Sequence, residues 1–407
     1  MPEAVIVSTA RSPIGRAVKG SLKEVRPDDL TAQMVTAALD KVPALDRTEI
    51  EDVILGCGQP AGESGYNLAR VVAILAGLGE VPGTTVNRYC SSSLQTTRIA
   101  FHAIKAGEGD VFISAGVETV SRSIATGRSD GLPDTKNPRF ADAIARTEVR
   151  GEGGAKQWYD PQEDGALPDV YIQMGQTAEN VAQLKGISRR EQDEFAVRSQ
   201  NLTEKALANG FWQREIVPIT LPDGTVLSAD DGPRPGTTLE NVSKLNPVFR
   251  PDGTVTAANS CPLNDGAAAL VIMSETRAAE LGLQPLARIV ATGVSGLSPE
   301  IMGLGPVEAT RKALAQAGLD IGDIDLVEIN EAFAAQVIPS ARELGIDIDR
   351  LNINGGAISI GHPFGMTGAR ITTTLINSLQ FHDKQFGLET MCMGGGQGMA
   401  MVIERLS

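Results

Sequence analysis

The chain has 407 residues, 42% of them hydrophobic and 21% charged, with a formal charge of −14 at pH 7. These figures describe a globular chain long enough for two or three domains and exclude an intrinsically disordered one. The acidic balance argues against a sequence-independent nucleic-acid binder, because that activity rests on Lys and Arg neutralising phosphates.

No apolar run reaches the length of a membrane span, and the first residues lead into a strand-like segment instead of a charged-then-apolar leader. The expected setting is therefore cytoplasmic, with neither membrane nor nucleic acid as a partner. The four cysteines (Cys57, Cys90, Cys261, Cys392) are far apart, no C-x-x-C pair occurs, and there are only three His. A metal site or a disulfide framework is accordingly not expected.

In chain order, the apolar pattern predicts a strand at "AVIVSTA", a helix over 27–41, a strand at "DVILGCG", a helix over 67–78, a strand at "TTVN", a helix over 91–106 and a strand at "DVFISAG". After residue 286 the rhythm returns. It runs "ARIVATGVS", a helix over 307–317, "DIDLVEIN", a helix over 331–344, "LNING", a helix over 368–379, and the closing "GLETMCMGGGQGMAMVIERL". Strands alternating with helices imply an α/β protein with a parallel sheet, and two such series imply two similar half-folds. The echo is local as well. "IEDVILGCG" is similar to "IDLVEINEA", and Cys90 and His362 fall in matching strand-to-helix turns.

Between about 121 and 250 the composition shifts to Gly, Pro and charge, as in "GEGGAKQWYDPQEDGALPD". One helical stretch interrupts it, with Thr177 as a cap-type residue and Ser188 before Glu191 as a capping box. The expected organisation is an N-terminal half over 1–120 and 251–275, an inserted loop domain over 121–250 covering a site, and a C-terminal half over 276–407.

Four segments carry chemistry: "NRYC", "INEAFA", "GGAISIGHPFG" and "CMGGGQG". Cys90 sits where a strand hands over to a helix, and unpaired N–H groups with the positive end of the helix dipole favour a thiolate there. Taken singly, each residue also has a plain structural reading. A lone Cys is commonly a small buried hydrophobe, His362 a satisfied core histidine, Asn330 a turn residue and the triple glycine a bend.

Jointly, these motifs closely resemble the thiolase family, from "VIVSTARSPIGR" to "MAMVIERL". The resemblance implies a five-layered αβαβα fold built from two similar halves, with an inserted loop domain. It also implies reversible CoA-dependent cleavage of 3-ketoacyl-CoA, or the reverse condensation of acetyl-CoA, by an acyltransferase. Cys90 would be the acylated nucleophile, His362 its activator and an oxyanion-hole donor, and Asn330 the residue holding a water in that first hole. Cys392 would move the second proton, and the N–H groups of Cys90 and Gly394 would form a second oxyanion hole. The chemistry is self-consistent, since two thiols and an imidazole supply a nucleophile, its base and a proton donor with no permanently bound cofactor.

For coenzyme A as substrate, the resemblance points to Arg234 near the nucleotide, Leu245 and Ala257 at apolar contacts, and Met174, Met302 and Phe333 around the pantetheine arm. Cys261 stands where relatives have a pantetheine-contacting serine. Further departures are Ser93 in place of glycine, Gln173 in place of histidine, and "TVSRSIATGRSDG" after "GVE". They imply a pocket for longer or bulkier acyl groups. A 3-ketoacyl synthase, the nearest rival, would lack a second catalytic cysteine such as Cys392. The family is usually dimeric or tetrameric, so a homo-oligomer is expected.

Overall fold

The computed structural model describes residues 2–126, 135–221 and 223–407. Nine strands form the main body: β1 (Ala4–Arg11), β2 (Asp52–Cys57), β3 (Gly83–Val86), β4 (Val111–Thr119), β5 (Asn264–Ser274), β6 (Ala287–Gly296), β7 (Leu326–Ile329), β8 (Phe386–Met393) and β9 (Gln397–Arg405). They pair in the order β3-β2-β4-β5-β1-β6-β9-β8-β7, and a short strand at Gly15–Arg16 attaches to β5.

The order reads the same from either end once chain position is halved. β2 runs parallel to β3 and β4, as β7 runs parallel to Leu351 and β8. β5 lies antiparallel between β4 and β1, as β9 does between β8 and β6. The two half-sheets join where Val5 pairs Arg288 and Ile6 pairs Ala287. The sheet is therefore mixed, not parallel throughout: β9 turns back from β8 as a hairpin, and β5 returns antiparallel beside β4 after the long intervening segment. "LNING" contributes only the single bridge at Leu351. The long strand β5 is absent from the elements read off the sequence. It is buried along its full length, as β4 is, but it opens with "NDGAAA", residues that are depleted in strands and so do not mark one.

Alternation within the strands divides the interior into layers. In β5, Ala267, Ala269, Val271 and Met273 face helices α1 (Pro27–Asp40) and α2 (Leu68–Leu75). The intervening Ala268, Leu270 and Ile272 face a central pair, α3 (Ser92–Ala106) and the helix Thr367–Phe381. On the far side, Leu388, Ala400 and Val402 pack against Gly305–Ala317 and Ala334–Leu344. Helix, sheet, helix pair, sheet and helix make five layers.

The segment after β4 supplies the helices α4 (Met174–Lys185) and α5 (Arg189–Ala208), and the core helices that follow are α6 (Gly305–Ala317), α7 (Ala334–Leu344) and α8 (Thr367–Phe381); other helices, Ala141–Gly151 among them, lie outside this core. Ser188 forms the expected capping box with Glu191 at the start of α5. Thr177 does not cap; it lies inside α4, where its hydroxyl donates back to the Met174 carbonyl at 2.6 Å. α7 begins at Ala334, three residues later than the pattern predicts, because "NEA" is held by the residues around it and not by helical hydrogen bonds. The Gln336 amide donates to the Asn330 carbonyl and Asn352 to a Glu331 oxygen.

Candidate active site

α3 and α8 are the matching helices of the two halves, and they meet at their N-terminal ends. There the Ser93 hydroxyl accepts from the Ala369 N–H at 2.9 Å. The turns that precede the two helices carry Cys90 and His362. Ser93 thus lies buried between helices, not against a substrate, which removes it from the set that could set acyl preference.

Tyr89–Ser91 form a single 3-10 turn that runs into α3. Tyr89 holds a left-handed φ of 45°, uncommon for a residue with a side chain and typical of strained functional turns. The turn is fixed by Ser92, whose hydroxyl accepts from the Arg88 N–H and donates to the Tyr89 carbonyl. The Cys90 thiol is pushed up to about 12, chiefly by burial. Opposing that, the N–H groups of Gly394 and of Cys90 itself point at its sulfur. The expected resting thiolate is therefore corrected. Burial outweighs the helix end, and the proton must be taken off by a base when the thiol reacts.

His362 carries an imidazole suited to that role. Burial lowers its imidazole to about 3, with the Arg370 guanidinium as the lesser cause, so the ring is neutral at physiological pH. Its backbone N–H donates to Asn264 Oδ1 at 2.9 Å, and Asn264 in turn donates to the Gly15 carbonyl. The preceding Gly361 has φ of 112°, and a Cβ there would lie 2.6 Å from Asn264 Cγ, so only glycine brings the histidine this close. Asn330 Nδ2 lies 3.2 Å from His362 Nε2, while Asn330 Oδ1 is buried without a protein partner among the described residues.

Cys392, at the end of β8, is buried, and its thiol is pushed well above the usual range by burial and by the nearby sulfurs of Cys90 and Cys261. All four cysteines are free.

The residues assigned to coenzyme A fall into two groups. Arg234, Leu245 and Ala257 line one cleft of about 280 Å³. Met174, Met302, Phe333 and Cys261 instead pack in an apolar cluster around Cys392. Gly394 lies beside Tyr89 and Met174, linking that cluster to the Cys90 turn. The cleft also holds Arg16, which the sequence reading did not single out. Its Nε has no partner, and neither it nor Arg234 is in an ion pair among the described residues. The motif "GR" after β1 was the available signal, but only the fold brings it across to "GPRPG". Gln173 is exposed at the start of α4. Residues 127–131 of the segment that follows "GVE" lie outside the described residues.

Paired half-folds that bring a half-buried thiol and a neutral imidazole to the facing ends of two helices, with a carboxamide just after β7 and a second thiol near the end of β8, define an acyl-transferring α/β enzyme. The thiolase N-terminal domain model matches residues 4–276 and the thiolase C-terminal domain model residues 283–405, and the chain belongs to the thiolase family. A 3-ketoacyl-CoA thiolase of Bacillus subtilis (strain 168) is 44% identical across 99% of this chain and 100% of its own length. A 3-oxoadipyl-CoA/3-oxo-5,6-dehydrosuberyl-CoA thiolase of Escherichia coli (strain K12) is 45% identical across all of both chains. The crystal structure of the Bacillus anthracis acetyl-CoA acetyltransferase superposes with a TM-score of 0.86 at 40% identity, covering 100% of this chain and 99% of that one. Human mitochondrial 3-ketoacyl-CoA thiolase does so at 0.85 and 36%, with the same coverage.

Proposed function

We propose that this thiolase carries out CoA-dependent cleavage of 3-ketoacyl-CoA, and the reverse condensation of acetyl-CoA, through an acyl thioester on Cys90. His362 Nε2 takes the Cys90 proton as the sulfur attacks the 3-keto carbon. The oxyanion so formed is held by the N–H groups of Cys90 and Gly394. When the C2–C3 bond breaks, the acyl group stays on Cys90 and the acetyl-CoA enolate is held by His362 Nε2–H and by a water on Asn330. Cys392 protonates C2 and is left as a thiolate. Free CoA then gives its proton to Cys392 and attacks the acyl group, and Cys90 leaves, recovering its proton from His362.

The observation that carries this reading is the meeting of α3 and α8 at their N-terminal ends, with Cys90 and His362 on the turns before them and Asn330 Nδ2 3.2 Å from His362 Nε2. The test is thiolysis by the purified chain of acetoacetyl-CoA and of a long-chain 3-ketoacyl-CoA, with Cys90→Ser and Cys392→Ser alongside. Turnover that both substitutions reduce to background is expected; no turnover of either substrate by the folded chain overturns the reading.

Longer or bulkier 3-ketoacyl groups are accepted in this reading, and loss of activity beyond four carbons would sink that part. A relative named for 3-oxoadipyl-CoA and 3-oxo-5,6-dehydrosuberyl-CoA supports it, since those acyl groups are larger than acetoacetyl. CoA enters with its nucleotide at Arg234 and Arg16 and its thiol end toward Met174, Met302, Phe333 and Cys261. Residues 121–250 act as a domain inserted between the two parts of the N-terminal half, with Met174 and α4 supplying one wall of the apolar cluster.

A homodimer or homotetramer in the cytoplasm completes the reading. The outer side of β3 pairs with no strand, and Tyr66, Ile74, Leu75 and Tyr89 are exposed near it. Four free thiols suit a reducing compartment. No helix among the described residues is long and apolar enough to cross a membrane, and no cluster of His, Cys, Asp and Glu among them is arranged to hold a metal ion.

A further inference from the structure

The proposed mechanism requires one particular tautomer of His362, with the lone pair on Nε2, yet no other residue of the four motif segments holds the remaining ring nitrogen, since Asn330 Nδ2 stands 3.5 Å from Nδ1 and nearer, at 3.2 Å, to Nε2. Thr367 does. Its hydroxyl oxygen lies 2.6 Å from His362 Nδ1, and both side chains are buried. A threonine hydroxyl has one proton to give and lone pairs to accept with. Here the same oxygen lies 2.8 Å from the Pro363 carbonyl, which can only accept. The hydroxyl proton is thereby committed to Pro363, so the hydroxyl accepts from Nδ1–H. On the other side, Asn330 Nδ2 donates toward Nε2 at 3.2 Å. Both neighbours agree on the neutral tautomer with hydrogen on Nδ1.

We propose that Thr367 is a positioning residue that locks His362 in the Nδ1–H tautomer and so keeps Nε2 free to take the Cys90 proton. This rests on the assignment of His362 as the base. The first residue of α8 is a suitable place for the lock. Its side chain lies one turn beyond Pro363, so the bond back to that carbonyl forms with the helix, and the hydroxyl inherits a fixed direction from the backbone. The ring cannot pivot away either, since Asn264 holds its backbone N–H and Phe364 packs edge-on to it with centroids 5.2 Å apart. A proton arriving at Nε2 makes an imidazolium whose Nδ1–H stays on Thr367. The ring therefore needs no reorientation between acting as base and acting as donor, which is the service that oriented partners give catalytic histidines generally.

The test compares Thr367→Val, which keeps shape and removes the hydroxyl, with Thr367→Ser, which keeps the hydroxyl. Thiolysis kinetics, the rate of Cys90 alkylation by iodoacetamide and the 15N imidazole shifts are measured for each. Only three histidines are present, and His102 and His382 are exposed, so the buried His362 signal is separable. The expected result for Thr367→Val is a kcat loss of about 10- to 100-fold at nearly constant KM, slower alkylation to match, and a shift of the His362 signals toward the Nε2–H tautomer. Thr367→Ser should stay within a few-fold of the parent. A Val variant with parental kcat and tautomer overturns the proposal. So does a Ser variant as impaired as Val, since that would mean packing and not the hydroxyl. Should His362→Ala leave thiolysis intact, the assignment of the base itself fails, which is a different result from a silent Thr367.

Discussion

Replacing Gly368 by alanine perturbs the seam on which the site depends. Gly368 is the second residue of α8, and a Cβ added there would lie 2.3 Å from the Leu94 nitrogen and 2.6 Å from Leu94 Cβ in α3, where ordinary contact begins at 3.4 Å. The obstacle is helix backbone, which no rotamer change relieves, so the two helix ends must part by about 1 Å. Overpacking of this kind costs about 1–3 kcal/mol. Leu94 follows Cys90 by one helical turn, and His362 precedes Gly368 through the turn that carries it, so the strain falls between nucleophile and base. A misplacement of about 1 Å costs up to about 10²-fold in rate. Thiolysis of acetoacetyl-CoA should therefore show kcat lowered about 10- to 100-fold with KM little changed, and the urea midpoint should fall. Gly79→Ala, where nothing lies within 4 Å of the added Cβ, is the matched control. Parental kcat and midpoint in Gly368→Ala would refute the idea that close approach of the two helices sets the catalytic geometry.

Three further outcomes are expected. Arg16→Gln should raise KM for CoA about 10-fold while leaving thiolysis by N-acetylcysteamine, which lacks the nucleotide, unchanged; equal effects on both thiols would remove Arg16 from the phosphate end. The unfolded His362 imidazole takes up a proton near pH 6.5, whereas the folded one refuses it until about 3. Its contribution to stability is thus complete above about 6.5 and is lost as the pH falls toward 3, at about 1.4 kcal/mol per pH unit. His362→Asn should flatten the pH dependence of urea unfolding across that window, and an unaltered slope would contradict the burial argument. Glu331 accepts from Ser199, Asn352 and the Ile358 N–H within the core, so Glu331→Ala strands three donors and should cost about 3 kcal/mol or more in urea unfolding. A loss below about 1 kcal/mol would mean those donors find other partners.

Much of this molecule is legible in the chain. The α/β rhythm, its repetition, the strand-to-helix turn that holds Cys90, and the capping box at Ser188 follow from periodicity and end signals, because these are local properties of the backbone and its neighbours; His362 instead follows the short helix Ala357–Ile360. The twofold echo between "DVILGCG" and "DIDLVEIN" predicts which strands correspond, and β2 and β7 do occupy equivalent places in the sheet. Periodicity misses β5, whose opening "NDGAAA" holds residues depleted in strands, and it overreads "LNING", where a single bridge replaces a strand.

Only the tertiary structure decides how the site works. The sequence puts Cys90 at a helix start, where an isolated peptide would favour a thiolate, but in the fold the thiol is pushed up to about 12, chiefly by burial, although the residue as a whole stays half-buried. The same burial keeps His362 neutral and hence able to act as a base. The meeting of Arg16 with Arg234, and of Thr367 with His362 Nδ1, depends on loop paths and on ångström-scale distances that no spacing rule encodes. Short-range order is written residue by residue along the chain, whereas solvent exclusion and the geometry of a shared proton exist only once distant segments have packed.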